Sequence, residues 1–211
     1  MLTLASTAQE PTVQTSEDSY PRWQFYTNIG FVKMTGLPKG IDEQISTAPQ
    51  ILLNANIHLA KRRHYLSVGL GYEGSRYVAD GMFTKSGDQY NFQLTPANIK
   101  QNEIQMHYLH FPVLYRGVYG KRASTAFGPY AGYLLNAEHQ FKTGTDKQES
   151  DAHVENKFRM GLVLDAEFIL GGSRSLKPVL GYGLQYQLTR HLKDQRSFKP
   201  LVGYIKIGFA L

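Results

Sequence analysis

Phe158-Arg159-Met160-Gly161-Leu162-Val163-Leu164-Asp165-Ala166-Glu167-Phe168-Ile169-Leu170 decides the fold. Phe158, Met160, Leu162, Leu164, Ala166, Phe168 and Leu170 form an unbroken apolar stripe at period two, and the residues between them include Arg159, Asp165 and Glu167. A strand built this way has one oily face and one charged face. In a soluble sandwich the oily face would meet a core and the charged one water. In a transmembrane barrel the oily face meets lipid and the charges point into the lumen.

The rest of the chain repeats the pattern. A first strand over Trp23 to Val32 sets Trp23, Phe25, Ile29 and Phe31 against Gln24 and Asn28, and a second sets Ile51, Leu53, Ala55, Ile57 and Leu59 against Asn54, Asn56 and His58. The third places Leu66, Val68, Leu70 and Tyr72 opposite Ser67, Gly69, Gly71 and Glu73. The fourth, Met106 to Tyr119, places Leu109, Phe111, Val113 and Tyr115 outward with His110 and Arg116 inward. In the fifth, Thr125 to Asn136, Phe127, Ala131, Tyr133 and Leu135 face out, although Leu134 blurs the alternation. The stretch quoted above is the sixth strand. The seventh alternates Leu180, Tyr182, Leu184, Tyr186 and Leu188 with Gly181, Gly183, Gln185 and Gln187. The eighth sets Leu201, Ile205, Ile207, Phe209 and Leu211 against Tyr204 and Lys206. Eight strands of about ten residues are long enough to cross a bilayer at a tilt, and their breaks run long, short, long, short. The short breaks are 61–64, 118–123 and 171–176; the long ones are 33–49, 80–105, 137–156 and 189–197. Short periplasmic turns and long external loops are the habit of an eight-stranded antiparallel up-and-down barrel in a bacterial outer membrane.

Composition alone points elsewhere. At 211 residues, 42% hydrophobic, with a mean hydropathy of −0.35, the chain has the bulk properties of a soluble domain. It contains no apolar run long enough for a transmembrane helix, but alternating strands average to a polar hydropathy and leave no such trace. Fourteen Tyr, 11 Phe and 20 Gly suit a barrel with aromatic girdles, and the absence of Cys removes disulfides and thiolate metal sites from consideration. Residues 1–8 read as a probable signal-peptide remnant: Leu2 and Leu4 end an apolar stretch, and Ser6, Thr7 and Ala8 precede a plausible cut. Residues 9–22, rich in Thr, Ser, Gln, Glu and Pro, read as a flexible N-terminal arm, and 23–211 as the barrel.

Three segments carry a resemblance. Gly69-Leu70-Gly71-Tyr72-Glu73-Gly74, Tyr108-Leu109-His110-Phe111-Pro112-Val113-Leu114-Tyr115 and Phe127-Gly128-Pro129-Tyr130-Ala131-Gly132-Tyr133-Leu134-Leu135, in that order and spacing, resemble the PorT-like outer-membrane β-barrel proteins of Bacteroidetes-type bacteria. One departure is visible. His110 stands where the family commonly has an acidic residue, and Arg116 follows near the strand end. The resemblance implies an outer-membrane barrel and, more loosely, an accessory role in a protein secretion or gliding machinery.

An eight-stranded barrel is just wide enough for its interior to fill with side chains. The expected inward charges, Glu73, Arg116, Arg159, Asp165, Glu167 and Lys206, can neutralise one another as a structural network, against the sharper alternative of an ion path. Catalysis needs a base or nucleophile reachable from the membrane, and His107 is the main polar residue on the outward stripes; a solvated rim histidine is the simpler account. His107 and His110 fall on opposite faces and cannot share a metal. Asp146, Glu149, Asp151 and Glu155 lack the ligand order and central Gly of a calcium loop. No cofactor, metal or catalytic residue is expected. No phosphate-cradling glycine pattern or basic-aromatic face for nucleic acid is present.

The formal charge of +6 is local. Lys61, Arg62, Arg63, Lys121, Arg122, Arg174 and Lys177 sit in or beside the short turns with no Asp or Glu among them, as candidate contacts to outer-membrane lipid headgroups. The long loops are the expected source of partner specificity, with Tyr90, Phe92 and Leu94 alternating with Asn91 and Gln93 as a possible docking edge for a protein partner of the cell envelope. The reading is a non-enzymatic structural or accessory subunit of an envelope assembly. A lipid-modifying outer-membrane enzyme and a soluble lipocalin-like carrier are the alternatives. On the barrel reading, Lys or Arg at Leu162 or Leu164 is expected to be costly, and at Val163 milder if the lumen has room.

Overall fold

The computed structural model describes residues 20–35, 46–59, 63–79, 81–86, 89–94, 99–143, 146–151, 157–171, 176–189 and 199–211. Its strands are β1 (Trp23–Thr35), β2 (Ser46–Thr47), β3 (Gln50–His58), β4 (His64–Ala79), β5 (Gly81–Ser86), β6 (Gln89–Leu94), β7 (Ile99–Tyr119), β8 (Ala123–Thr143), β9 (Asp146–Asp151), β10 (Phe158–Ile169), β11 (Lys177–Gln187) and β12 (Lys199–Ala210). Each barrel strand pairs antiparallel with its neighbours in order, and the ring closes where β12 returns to β1. At the seam, Leu211 N–H donates to Trp23 C=O (2.8 Å) and Trp23 N–H to Leu211 C=O (3.2 Å).

Two short pieces count as one strand. β2 and β3 are separated only by Ala48 and Pro49, and the register against β1 is the same on either side, Val32 opposite Ser46 and Asn28 opposite Gln50. Pro49 has no N–H to give the ladder, yet its carbonyl accepts from Gly74 (3.0 Å) and Ala48 N–H donates to Gly30 (2.9 Å), so the wall is continuous. With β2 and β3 joined, the barrel has eight strands.

The segments at 80–105 and 137–156, expected as loops, carry strand. β7 begins at Ile99 and β8 runs to Thr143, paired through Asn102 opposite Phe141, and β9 folds back on the end of β8. β5 and β6 form a separate hairpin. These extensions lie beyond the apolar belt, where neither face of a strand meets lipid, so they lack the oily stripe by which the membrane strands were recognised.

In the membrane part of β8 alternation fails for a physical reason. His107 pairs with Asn136 and Tyr108 with Leu134, which leaves Leu135 as the extra residue of a β-bulge. Leu134 is therefore inward and buried, Leu135 and Asn136 both face out, and Ala137 is inward again.

Outside, the stripes form a belt: Phe158, Met160, Leu162, Leu164 and Phe168 on β10, Ile51, Leu53 and Ile57 on β3, and Ile205, Ile207 and Phe209 on β12 are all exposed. Leu162 at 50% and Leu164 at 56% exposure, flanking Val163 at 6%, show the two faces of one strand. A water-soluble protein does not present a continuous apolar surface of this extent. The short turns turn through left-handed backbone, Gly120 at φ 65°, Gly171 at φ 93° and, without the freedom of glycine, Arg63 at φ 73°.

Candidate functional site

The lumen is filled in alternating apolar and polar layers. At the short-turn mouth Tyr20, Tyr65, Ile169, Val179 and Ala210 pack together. Above them lies a charged layer of Arg116, Asp165, Glu167 and Lys206. Then come Leu114, Ala126, Tyr130, Val163 and Tyr204 as an apolar layer, and a second charged layer around Glu73 and Arg159. Val32, Ala48, Tyr77, Met106, Tyr108, Leu134, Ala137 and Val202 close the end below the long loops.

All six residues expected to line the lumen are buried in it, and they separate into two groups. In the lower, Arg116 bridges Glu167 (Nη1 to Oε1, 2.5 Å) and Asp165 (Nη2 to Oδ2, 3.5 Å), and also donates to Ser67 (2.9 Å) and Ser124 (2.8 Å). Lys206 donates to Asp165 and to Glu167 (3.0 Å), with its ammonium 4.1 Å from the centre of the Tyr26 ring. In the upper, Arg159 meets Glu73 (2.6 Å), and its guanidinium carbon stands over Tyr108, 3.7 Å from the ring centre. Glu73 also accepts from Ser75 (2.5 Å), Gln50 (2.7 Å) and Gln185 (3.3 Å), with His110 Nδ1 3.6 Å away. Three cations face three carboxylates across both groups, so the buried charge sums to zero with each charge paired.

Room for these groups comes from glycines on facing strands. A Cβ on Gly132 would lie 2.6 Å from Arg159 Nε, and one on Gly183 would lie 2.5 Å from the Tyr204 ring.

Tyr20 was not visible as a site residue from the sequence. It sits within the expected arm 9–22, of which residues 9–19, like the expected signal-peptide remnant 1–8, lie outside the described residues, and its ring packs on Tyr65 with centroids 5.1 Å apart. Its hydroxyl donates to Glu167 and accepts from Gln24 (3.0 Å) and Arg116 (3.1 Å). Asn56 fastens the next residues, its N–H donating to Arg22 C=O (2.8 Å) and its amide to Pro21 C=O (2.9 Å). Ser75, Ser124, Gln50, Gln24 and Gln185 were likewise missed as members of the network. Their inward phase was the available signal.

The two histidines of β7 part as their spacing requires. His110 is buried against Tyr130, ring centres 4.9 Å apart. His107 faces outward, stacked on Tyr72 at 5.8 Å with a hydrogen bond between Tyr72 Oη and His107 Nδ1. A second pair, His64 and Tyr115, repeats this arrangement near the short turns, with ring centres 5.5 Å apart and Oη to Nδ1 at 2.5 Å.

Of the short-turn cations, Arg63, Lys121 and Arg122 are exposed and Lys177 is half-buried at the start of β11; Lys61, Arg62 and Arg174 lie outside the described residues. The side chains of Tyr90, Phe92 and Leu94 and of the acidic group Asp146, Glu149 and Asp151 also lie outside them, as does Glu155, although the backbones of β6 and β9 are described.

A closed eight-stranded barrel with an apolar belt, charges inside and short turns at one end defines an integral membrane protein of the bacterial outer-membrane type. The family model of the outer membrane protein beta-barrel domain matches residues 7–178, and the chain belongs to that family, in the bacterial outer membrane. A soluble lipocalin-like carrier is thereby set aside. No curated protein matches the chain. Among solved structures it is similar to Ail, the attachment invasion locus protein of Yersinia pestis, in complex with the heparin analogue sucrose octasulfate. That match has a TM-score of 0.44 and 10% identity, over 90% of this chain and 96% of Ail. A second Ail structure matches with a TM-score of 0.43 and 8% identity, over 91% and 100%.

Proposed function

We propose that the protein is a non-enzymatic structural or accessory subunit of an envelope assembly, of the kind the PorT-like resemblance suggests for secretion or gliding machinery. The observation that carries this reading is the filled lumen: among the described residues, five layers of buried side chains follow one another from the short-turn mouth to the end below the long loops. With the belt in lipid, the surface left for a protein partner is the strand-extended end beyond the membrane, where the β5–β6 hairpin and its Tyr90, Phe92 and Leu94 are the proposed docking edge.

Detergent pull-down from native membranes, with mass spectrometry, tests this on the intact chain and on a deletion of 86–98. The deletion is expected to leave a heat-modifiable, membrane-inserted barrel that no longer retains the partner. Retention at wild-type levels would overturn the docking edge. A lipid-modifying enzyme is the second reading, favoured by the outward hydrogen bond between Tyr72 and His107. It requires that His107→Ala change the lipid profile of the host membrane, and an unchanged profile removes it.

A further inference from the structure

The net charge of the chain is not spread over it. Seven of the 23 Lys and Arg lie within or beside the three short breaks and none of the 17 Asp and Glu does, and Arg22 stands before Trp23 at the same end. The lumen holds three of each sign, twelve cations and eleven acids fall in sequence between the other ends of the strands, and the remaining three acids, Glu10, Glu17 and Asp18, precede Tyr20 and are outnumbered by the eight cations even if counted with them. The basic excess therefore belongs to the one rim where the strands are shortest beyond the membrane and where a protein partner would find the least surface.

Among the described residues this rim carries Arg22, Arg63, Lys121 and Arg122, all exposed, and the half-buried Lys177. They are spread around the mouth, since the residue before β1, the β3–β4 turn, the β7–β8 turn and the start of β11 each contribute. Each lies directly below the apolar belt. Trp23 follows Arg22 at 44% exposure, Tyr119 at 61% precedes Lys121 and Arg122, and His64 with Tyr115 stands next to Arg63. Cations ringed by aromatic side chains at the edge of an apolar band sit at the depth of lipid phosphates, and guanidinium groups bind phosphate oxygens in a fork.

We propose that this basic collar is a binding surface for anionic phospholipid headgroups of the periplasmic leaflet, contacting several at once around the barrel. The collar continues the lipid interface of the belt, which favours a lipid over an acidic protein as its occupant. It adds a lipid partner to the accessory role proposed above and does not depend on that role.

Trp23 is the single tryptophan of the chain and stands at the collar, so it reports the lipid beside it. The full-length protein is reconstituted into vesicles of phosphatidylcholine mixed with brominated phosphatidylglycerol or brominated phosphatidylcholine, and quenching of Trp23 gives the relative association of the two lipids. A preference of about fivefold per contacting cation is expected for phosphatidylglycerol, falling towards unity in 1 M salt, where the screening length is about 3 Å. Arg22→Gln with Lys177→Gln, just before β1 and on β11 beyond β12, should abolish the preference at Trp23. Lys121→Gln with Arg122→Gln, in the turn on the opposite side of the ring, should leave it unchanged, and both double variants should keep the heat-modifiable mobility of the folded barrel. Equal quenching by the two lipids overturns the proposal, as does an equal loss in both double variants, which would report net charge rather than contact. Equal quenching together with a shift of Trp23 emission on adding polyglutamate overturns it in favour of an acidic periplasmic protein.

Discussion

Breaking the Glu73–Arg159 pair from one side should cost far more than removing it whole. Both side chains are buried, their charged atoms are 2.6 Å apart, and each belongs to a strand, β4 and β10, that reaches the other only across the lumen. Glu73→Gln keeps the shape and an oxygen to accept from Gln50 and Gln185, with its NH2 turned to the Ser75 hydroxyl, but strands the Arg159 cation between Tyr108 and Tyr130, 3.7 and 5.6 Å from their ring centres. The contact with Tyr108 exists in the native protein and offsets nothing lost. An unpaired buried charge puts the cost at about 3 to 5 kcal/mol.

Arg159→Met leaves the carboxylate instead, still accepting from Ser75, Gln50 and Gln185, so its cost should fall at or below the lower end of that range. The double variant Glu73→Gln with Arg159→Met removes both charges at similar volume and should lie within about 1 kcal/mol of the native protein. The cycle then gives a coupling of several kcal/mol, well beyond the few tenths seen for independent sites. Urea unfolding in vesicles, followed by Trp23 emission and checked by heat-modifiable mobility, measures all four proteins. Additive costs would refute the argument, and so would single variants that each cost under about 1 kcal/mol.

The two faces of β10 supply another test. Leu164→Arg places a charge in the lipid belt and should cost about 2 to 4 kcal/mol. Val163→Lys, expected from the alternation alone to be milder, should cost about as much in the same unfolding assay. Val163 is packed among Leu114, Ala126, Tyr130 and Tyr204, with no space for a lysine and no carboxylate in that layer. Tyr20→Ala should cost about 3 to 5 kcal/mol, as for other buried aromatic truncations. Tyr20→Phe should cost about 1 to 3, because Glu167, Gln24 and Arg116 each lose a partner. Gly132→Ala drives a methyl against Arg159 and should cost about 1 to 3 kcal/mol, with less than additive loss when combined with Glu73→Gln, since both disturb the same guanidinium.

Where a strand touches lipid on one side, period two was enough to read its extent, its faces and its inward charges, and β10 and β11 follow the reading residue by residue. The same signal vanishes beyond the belt. Gln101 to Gln105 and Ala137 to Thr143 are strand, but beyond the belt neither face meets lipid, so nothing forces an oily stripe on them. Leu134 broke the rhythm because Leu135 is a bulge, and a bulge has no signature except that break. Tyr20 gave no warning either, since one aromatic residue in a polar arm has no period. Nor could the inward lists say which charges meet. Glu73 finds Arg159 and Lys206 finds Asp165 across a ring whose closure and shear fix the approach, and those depend on all eight registers together.

One clue to those registers is nevertheless written in the chain. The circumference of eight strands holds the lumen to a fixed width, so a large inward side chain needs a small one facing it. Gly132 lies against Arg159, Gly161 against Tyr130, and Gly183 against Tyr204. In each case the glycine and the large residue sit on neighbouring strands, β8 with β10 or β11 with β12, and a slip of two residues in either pairing would set large residues against one another and leave glycines facing a void. The hydrophobic stripe forbids slips of one residue, which would turn charges to lipid, and is blind to slips of two. The inward glycines forbid those. The two patterns together account for why this sequence closes in one register.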